Sequence, residues 1–130
     1  MTKKETYLLE IGNLLTEVEE FRKNVRNVLI DVIEYTHTGP GIGEKECALR
    51  MKSMLLGDIE MELHNAEKLL IQKIIALINM SEQEVLSMNY TTEITIFLEG
   101  VKEYKKFREA TLEEIKETVE KFKNTETSKE

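Results

Sequence analysis

The chain has 130 residues, 41% hydrophobic and 33% charged, with one proline, six glycines, one cysteine and no tryptophan. That is too apolar for a disordered chain, too poor in turn residues for an all-β fold, and too poor in cysteine for a disulfide framework or a cysteine metal cluster. The net charge is −7: residues 1–80 hold ten Lys/Arg against thirteen Asp/Glu, and residues 81–130 eight against twelve, so neither half is the basic block that phosphate contacts favour.

From Tyr7 the apolar residues recur in steps of three and four: Tyr7/Leu8, Ile11, Leu14/Leu15, Val18, Phe21, Val25, Val28/Leu29 and Val32/Ile33. That spacing predicts one apolar stripe along a helix of about eight turns, with the near-seven repeat of a coiled coil. Met1–Glu5 leads straight into this pattern, unlike a signal peptide. No apolar run approaches the roughly 18 residues of a membrane span, and the cytoplasm is the expected compartment.

The helix should stop in the segment from Tyr35 to Gly43, where three glycines surround the only proline. Inside a helix Gly costs about 1 kcal/mol and Pro about 3. Gly39, Gly41 and Gly43 lack the lysine and hydroxyl of a P-loop and follow no strand, so the segment reads as a connector and not a nucleotide site.

A second long helix is predicted from Glu44 to Asn79, with Ala48, Met51, Leu55, Ile59, Leu63, Ala66, Leu69/Leu70, Ile74 and Leu77 on its stripe and Gly57 inside it. So short a connector folds the second helix back antiparallel on the first, and the two stripes shelter each other.

Ser81-Glu82-Gln83-Glu84 has the pattern of a capping box, in which the Ser81 hydroxyl and the Glu84 carboxylate satisfy backbone donors. It opens a short helix carrying Val85, Leu86 and Met88. Asn89-Tyr90-Thr91-Thr92 reads as a break, with Thr91 or Thr92 as the next cap. Glu93–Glu99 suits a strand as well as a helix. With no partner strand elsewhere it is assigned to helix, ended by Gly100. A last helix runs from Val101 to Phe122 with Leu112, Ile115, Val119 and Phe122 on one face, and Asn124–Glu130 reads as a disordered tail.

The expected fold is therefore all-α. A long antiparallel, coiled-coil-like hairpin (1–80) precedes a small C-terminal helical segment (81–123) and the tail (124–130). Neither histidine, His37 or His64, has a partner at the spacing of a helical metal pair. Glu60, Glu62 and Glu67 read as a solvated face. Cys47 has no histidine base beside it, and the six methionines, among them Met51, Met54, Met61 and Met88, read as core filler. No catalytic site, metal or cofactor is expected.

One cluster stands apart. Lys102, Lys105, Lys106 and Arg108 fall within seven residues, interleaved with Tyr104 and Phe107, and the three lysines share a face at i, i+3, i+4. Preceded by a short helix and the Gly100 turn, they have the layout of a degenerate helix-turn-helix whose second helix enters the major groove. Taken alone, the cluster fits a solubilising surface at least as well.

The whole chain resembles the small phage-encoded, sigma-factor-like regulators of the ArpU and RinA type. The residues that carry the resemblance are the start KETYLLEIGNLLTEVEEF, the GPGIG linker, LLIQKIIALINMSEQEVLSMNY, and the terminal VKEYKKFREATLEEI. The run Ile74–Tyr90 is similar to the first helix of sigma-factor region 4, and VKEYKKFREATLEEI to its recognition helix. Between Tyr90 and Gly100 the chain departs from the pattern, holding only TTEITIFLE where a longer segment is usual. The resemblance implies a transcriptional regulator that contacts duplex DNA through Lys102, Lys105, Lys106 and Arg108. The alternative is a non-enzymatic helical module that associates with itself, as a homo-oligomer, or with another protein. The two long stripes and the acidic surface favour it.

Overall fold

A computed structural model describes residues 1–38 and 44–127, with side chains for 1–34, 47–121 and 123. Four helices follow in order: α1 (Lys3–Thr38), α2 (Glu44–Ile78), α3 (Glu82–Val85) and α4 (Met88–Thr127). Among the described residues there is no strand, and the fold is all-α.

The α1–α2 pair is the expected antiparallel hairpin. Arg22 near the middle of α1 bonds Glu60 and Glu67 near the middle of α2, and Lys4 at the start of α1 bonds carbonyls at the end of α2. The α1 stripe is buried as its spacing dictates: Ile11, Leu14, Val18, Phe21, Val25 and Val32 are all in the core. Facing them on α2 are Leu49, Leu56, Ile59, Leu63, Leu70 and Leu77. The Lys4 ammonium donates to Ile78 O at 3.2 Å and Met80 O at 2.9 Å, supplying partners to carbonyls that the end of α2 leaves over.

Both helix starts that Ser and Thr open use their hydroxyls. Glu84 N–H donates to Ser81 Oγ at 3.2 Å, as the capping box predicts, while the Glu84 carboxylate accepts from the Ser81 hydroxyl itself and not from a backbone N–H. Thr2 repeats the arrangement at the start of α1, where Glu5 N–H donates to Thr2 Oγ1 at 3.2 Å. The Thr2-x-x-Glu5 signature is as plain in the sequence as the Ser81 one, and the pattern reading passed over it.

The C-terminal segment differs from expectation. Neither the break at 89–92 nor the stop at Gly100 forms, because α4 is one continuous helix of 40 residues. It runs beside the hairpin, parallel to α1 and antiparallel to α2. Lys123 bonds Asp31 near the end of α1 at 2.7 Å, Lys73 lies 5.5 Å from the centre of the Phe97 ring, and Arg108 reaches Glu62 at 3.2 Å.

Packing explains why local breakers lose. Ile94, Leu98, Leu112, Ile115 and Val119 form one buried seam, and a turn at Gly100 would swing half of it off the hairpin. Each such side chain is worth about 1.5–3 kcal/mol when buried, against about 1 kcal/mol for a helical glycine. The threonines adapt: Thr92 and Thr95 hydroxyls donate back into α4, to the carbonyls of Met88 and Thr91, and the Thr91 hydroxyl donates to the carbonyl of Val85 in α3.

At the helix ends, α1 continues through Thr36-His37-Thr38 before the Gly39–Gly43 connector, which lies outside the described residues, as does 128–130. Positions 124–127 of the expected tail carry α4 onward, and the Phe122 side chain lies outside the described set.

Gly100 offers a direct check. It is exposed, and a Cβ placed on it would meet nothing within 4 Å. Gly100→Ala is therefore expected to stabilise the protein by about 0.5–1 kcal/mol, raising the midpoint of thermal unfolding by a few degrees in circular dichroism. A destabilising alanine would mean that a turn forms there after all.

Candidate functional site

The four clustered cations of α4, Lys102, Lys105, Lys106 and Arg108, do not converge. Lys105 and Arg108 lie on either side of the buried seam of α4, one towards α1 and the other towards α2. Lys105 faces α1 and pairs with Glu109, its own neighbour one turn on. Arg108 faces α2, where it bonds Glu62 and the Tyr104 hydroxyl, its guanidinium 5.4 Å from the Tyr104 ring and 5.1 Å from the Phe107 ring. Lys102 and Lys106 alone point to solvent. The seven-residue cluster is thus two committed cations and two exposed ones, and no separate recognition helix presents them.

Between α1 and α4 lies an open polar groove of about 260 Å³, lined by Glu17, Glu20, Phe21, Asn24, Lys105, Glu109, Leu112, Glu113 and Lys116. Four carboxylates against two ammonium groups make it acidic. Its charged groups are mostly exposed, so it lacks the desolvation that tunes catalytic acids and bases. Among the described residues no group of three or more His, Cys, Asp or Glu is placed to hold a metal. Cys47 is exposed on the first turn of α2, and the His37 side chain lies outside the described residues.

Sequence reasoning missed the most organised polar cluster, which sits on the hairpin face away from α4. Arg22 donates to Glu60 Oε1 at 2.8 Å and to Glu67 Oε2 at 2.6 Å, and Arg26 reaches Glu60 Oε1 at 2.9 Å. Glu67, expected on a solvated face, is only 8% exposed. Burial works against the Arg22 charge, but hydrogen bonds to Glu60 and Glu67 outweigh it and raise the pKa. Bonds from Arg26 and then Arg22 lower that of Glu60. His64 Nδ1 lies 3.9 Å from Glu67 Oε2, beyond hydrogen-bond reach, and has no hydrogen-bond partner among the described residues. Arg22, Arg26, Glu60 and Glu67 are salt-bridged to one another and tie α1 to α2.

The same face carries a second apolar stripe. Met54, Gly57, Met61, His64, Lys68, Ile71, Ile75 and Ile78 follow one another at alternating steps of three and four along α2, which is the spacing of a coiled-coil seam. Its five large apolar members are exposed, from 44% at Ile71 to 72% at Met54. This stripe is distinct from the buried one, and neither α1 nor α4 covers it. On α1, Lys4, Arg22 and Arg26 all reach α2, so the residues in phase with them, Leu8 and Leu15, lie along the border of this face; both are half-buried against the core.

Compared with models of protein families, with curated proteins and with solved structures, the chain matches none.

Proposed function

We propose that this protein is a non-enzymatic helical interaction module whose binding surface is the α1–α2 face opposite α4. The observation that supports it is the second stripe of α2, five large apolar side chains exposed at seam spacing on a helix already packed against α1 and α4. A surface helix needs one apolar stripe to join its own core. A second stripe leaves exposed apolar surface of the kind that marks contact with another helix.

The test is site-specific photocrosslinking in the native host. A photoreactive residue at Met61, on the open face, should give one discrete protein adduct, and the same residue at Glu114, on the exposed side of α4, none. Equal labelling from both positions would end the reading.

A second reading, a transcriptional regulator that contacts duplex DNA through α4, has one observation in its favour: Lys102 and Lys106 are exposed one turn apart. Glu99, Glu103 and Glu109 are exposed on the same stretch and weaken the attraction for phosphate. The expected gel-shift result is no retarded duplex at low salt. Retardation that fades steeply as salt rises, and that Lys102→Glu with Lys106→Glu abolishes, would put the DNA reading first.

A further inference from the structure

Resting on the interaction reading above, we propose that the partner seated on the open α1–α2 face is a second copy of this chain, packed antiparallel across a two-fold axis level with Ala66. The α2 stripe is self-complementary about that point. Laid antiparallel on itself, it sets Met54 against Ile78 of the other copy, Gly57 against Ile75, Met61 against Ile71, and His64 against Lys68. The Gly57 layer is informative, because a Cβ there would meet nothing within 4 Å in the monomer and the gap receives an isoleucine. A parallel alignment instead stacks Lys68 on Lys68 and leaves glycine facing glycine, a repulsion and a hole in one seam.

The α1 residues agree independently. Arg22 lies level with the segment between Glu60 and Glu67, so Ala66, a few residues further along antiparallel α2, is level with Glu19. Leu8 and Ile30 stand equally far on either side of Glu19. The axis that pairs Met54 with Ile78 therefore also brings half-buried Leu8 of one copy towards exposed Ile30 of the other.

Charge fits the same arrangement. Arg22 and Arg26 are already balanced by Glu60 and Glu67 within each copy. Lys68, exposed in the middle of the stripe, comes over His64 of the other copy, whose neighbour Glu67 supplies the opposite charge. Glu19 meets Glu19 of the other copy at the axis, and Lys23 of each copy, one turn away, offsets that repulsion.

The size of the face is sufficient. At 1.5 Å per residue the stripe from Met54 to Ile78 is about 36 Å long, and two helices are about 20 Å wide. The face thus covers roughly 700 Å² per copy, close to the ~800 Å² per partner of a stable complex. Both copies present the same patch, as closed two-fold symmetry requires. Helix α4 packs on the other side of the hairpin and leaves the approach open.

Sedimentation and light scattering of the full chain at micromolar concentration are expected to give twice the chain mass. Ile75→Lys should weaken the dimer more than about tenfold, with helicity and thermal midpoint of the monomer unchanged because Ile75 is exposed. In a Cys47→Ser background, mild oxidation should cross-link Met61→Cys/Ile71→Cys between copies and neither single variant alone. A wild-type chain that stays monomeric overturns the proposal, and so does cross-linking by Met61→Cys alone, the mark of a parallel pair. A monomer whose Met61 position still photocrosslinks to a different protein removes this inference and leaves the interaction reading standing.

Discussion

Leu63→Ala is expected to cost about 3 kcal/mol of stability, within the 2–5 kcal/mol range of buried leucine truncations. Leu63 is fully buried in the α2 seam between Ile59 and Leu70, both also fully buried. The Arg22 bonds set this part of α2 against the middle of α1, and the Arg108–Glu62 pair sets it against the middle of α4. Three helices thus wall the site, and none can close into the space without moving its whole length. Urea unfolding followed by circular dichroism should show a lower midpoint with an unchanged slope. Met51→Ala is the companion measurement. Met51 is 72% exposed, and its loss should stay within about 0.5 kcal/mol. Equal losses at the two positions would refute the register of α2.

That comparison also shows where pattern reading succeeds and where it slips. On α1 the buried residues Tyr7, Ile11, Leu14, Val18, Phe21, Val25 and Val32 all belong to the expected stripe, with Leu8, Leu15, Val28 and Leu29 half-buried beside them and Ile33 exposed. On α2 the expected stripe placed Met51, Leu55 and Leu69 inward, whereas Leu49 and Leu56 are fully buried or nearly so and Met51 and Leu69 are exposed. The cause is an excess of apolar residues. Adjacent pairs such as Leu55/Leu56 and Leu69/Leu70 leave a periodicity argument free to choose either member. The same excess makes the open face legible once the partner helices are known, because whatever α1 and α4 leave uncovered has to be explained by something else.

The C-terminal third was harder for a different reason. Asn89–Thr92 and Gly100 are true local breakers, and a rule that weighs each by itself places two helix ends there. Their cost is about 1 kcal/mol apiece, while the reward for ignoring them is a seam running from Ile94 to Val119 that only the assembled hairpin provides. The helix-turn-helix layout depended on that turn: without it, Arg108 ties α4 to α2 through Glu62, and Lys105 pairs within α4. The Arg22–Glu60–Glu67 cluster escaped notice because its members lie 38 and 45 residues apart in the chain. Charge pairs that distant have no sequence signature until the hairpin register is known.

The cluster carries the second large effect. Arg22→Ala should destabilise the protein by about 2 kcal/mol near neutral pH, below the 3–5 kcal/mol of a fully buried pair because the Arg22 side chain is still 21% exposed. The damage lies less in losing the arginine than in leaving Glu67, 8% exposed, charged and without its shortest bond. Arg22→Met combined with Glu67→Leu removes both charges and should recover most of the loss, which a double-mutant cycle would register as strong coupling. The pH dependence separates this account from simple loss of packing. In the wild type Glu60 has a lower pKa folded than unfolded, held down first by Arg26 and then by Arg22. Its contribution is therefore complete above the unfolded value of about 4.3 and lost as pH falls through the folded one. In Arg22→Ala the second of those bonds is gone and the depression shrinks, so that protein should lose less stability on acidification and the two stability curves should converge below about pH 4. Curves that stay parallel down to acid pH would show that Arg22 acts through its methylenes alone, and the hairpin face would then be held by its apolar seam without help from charge.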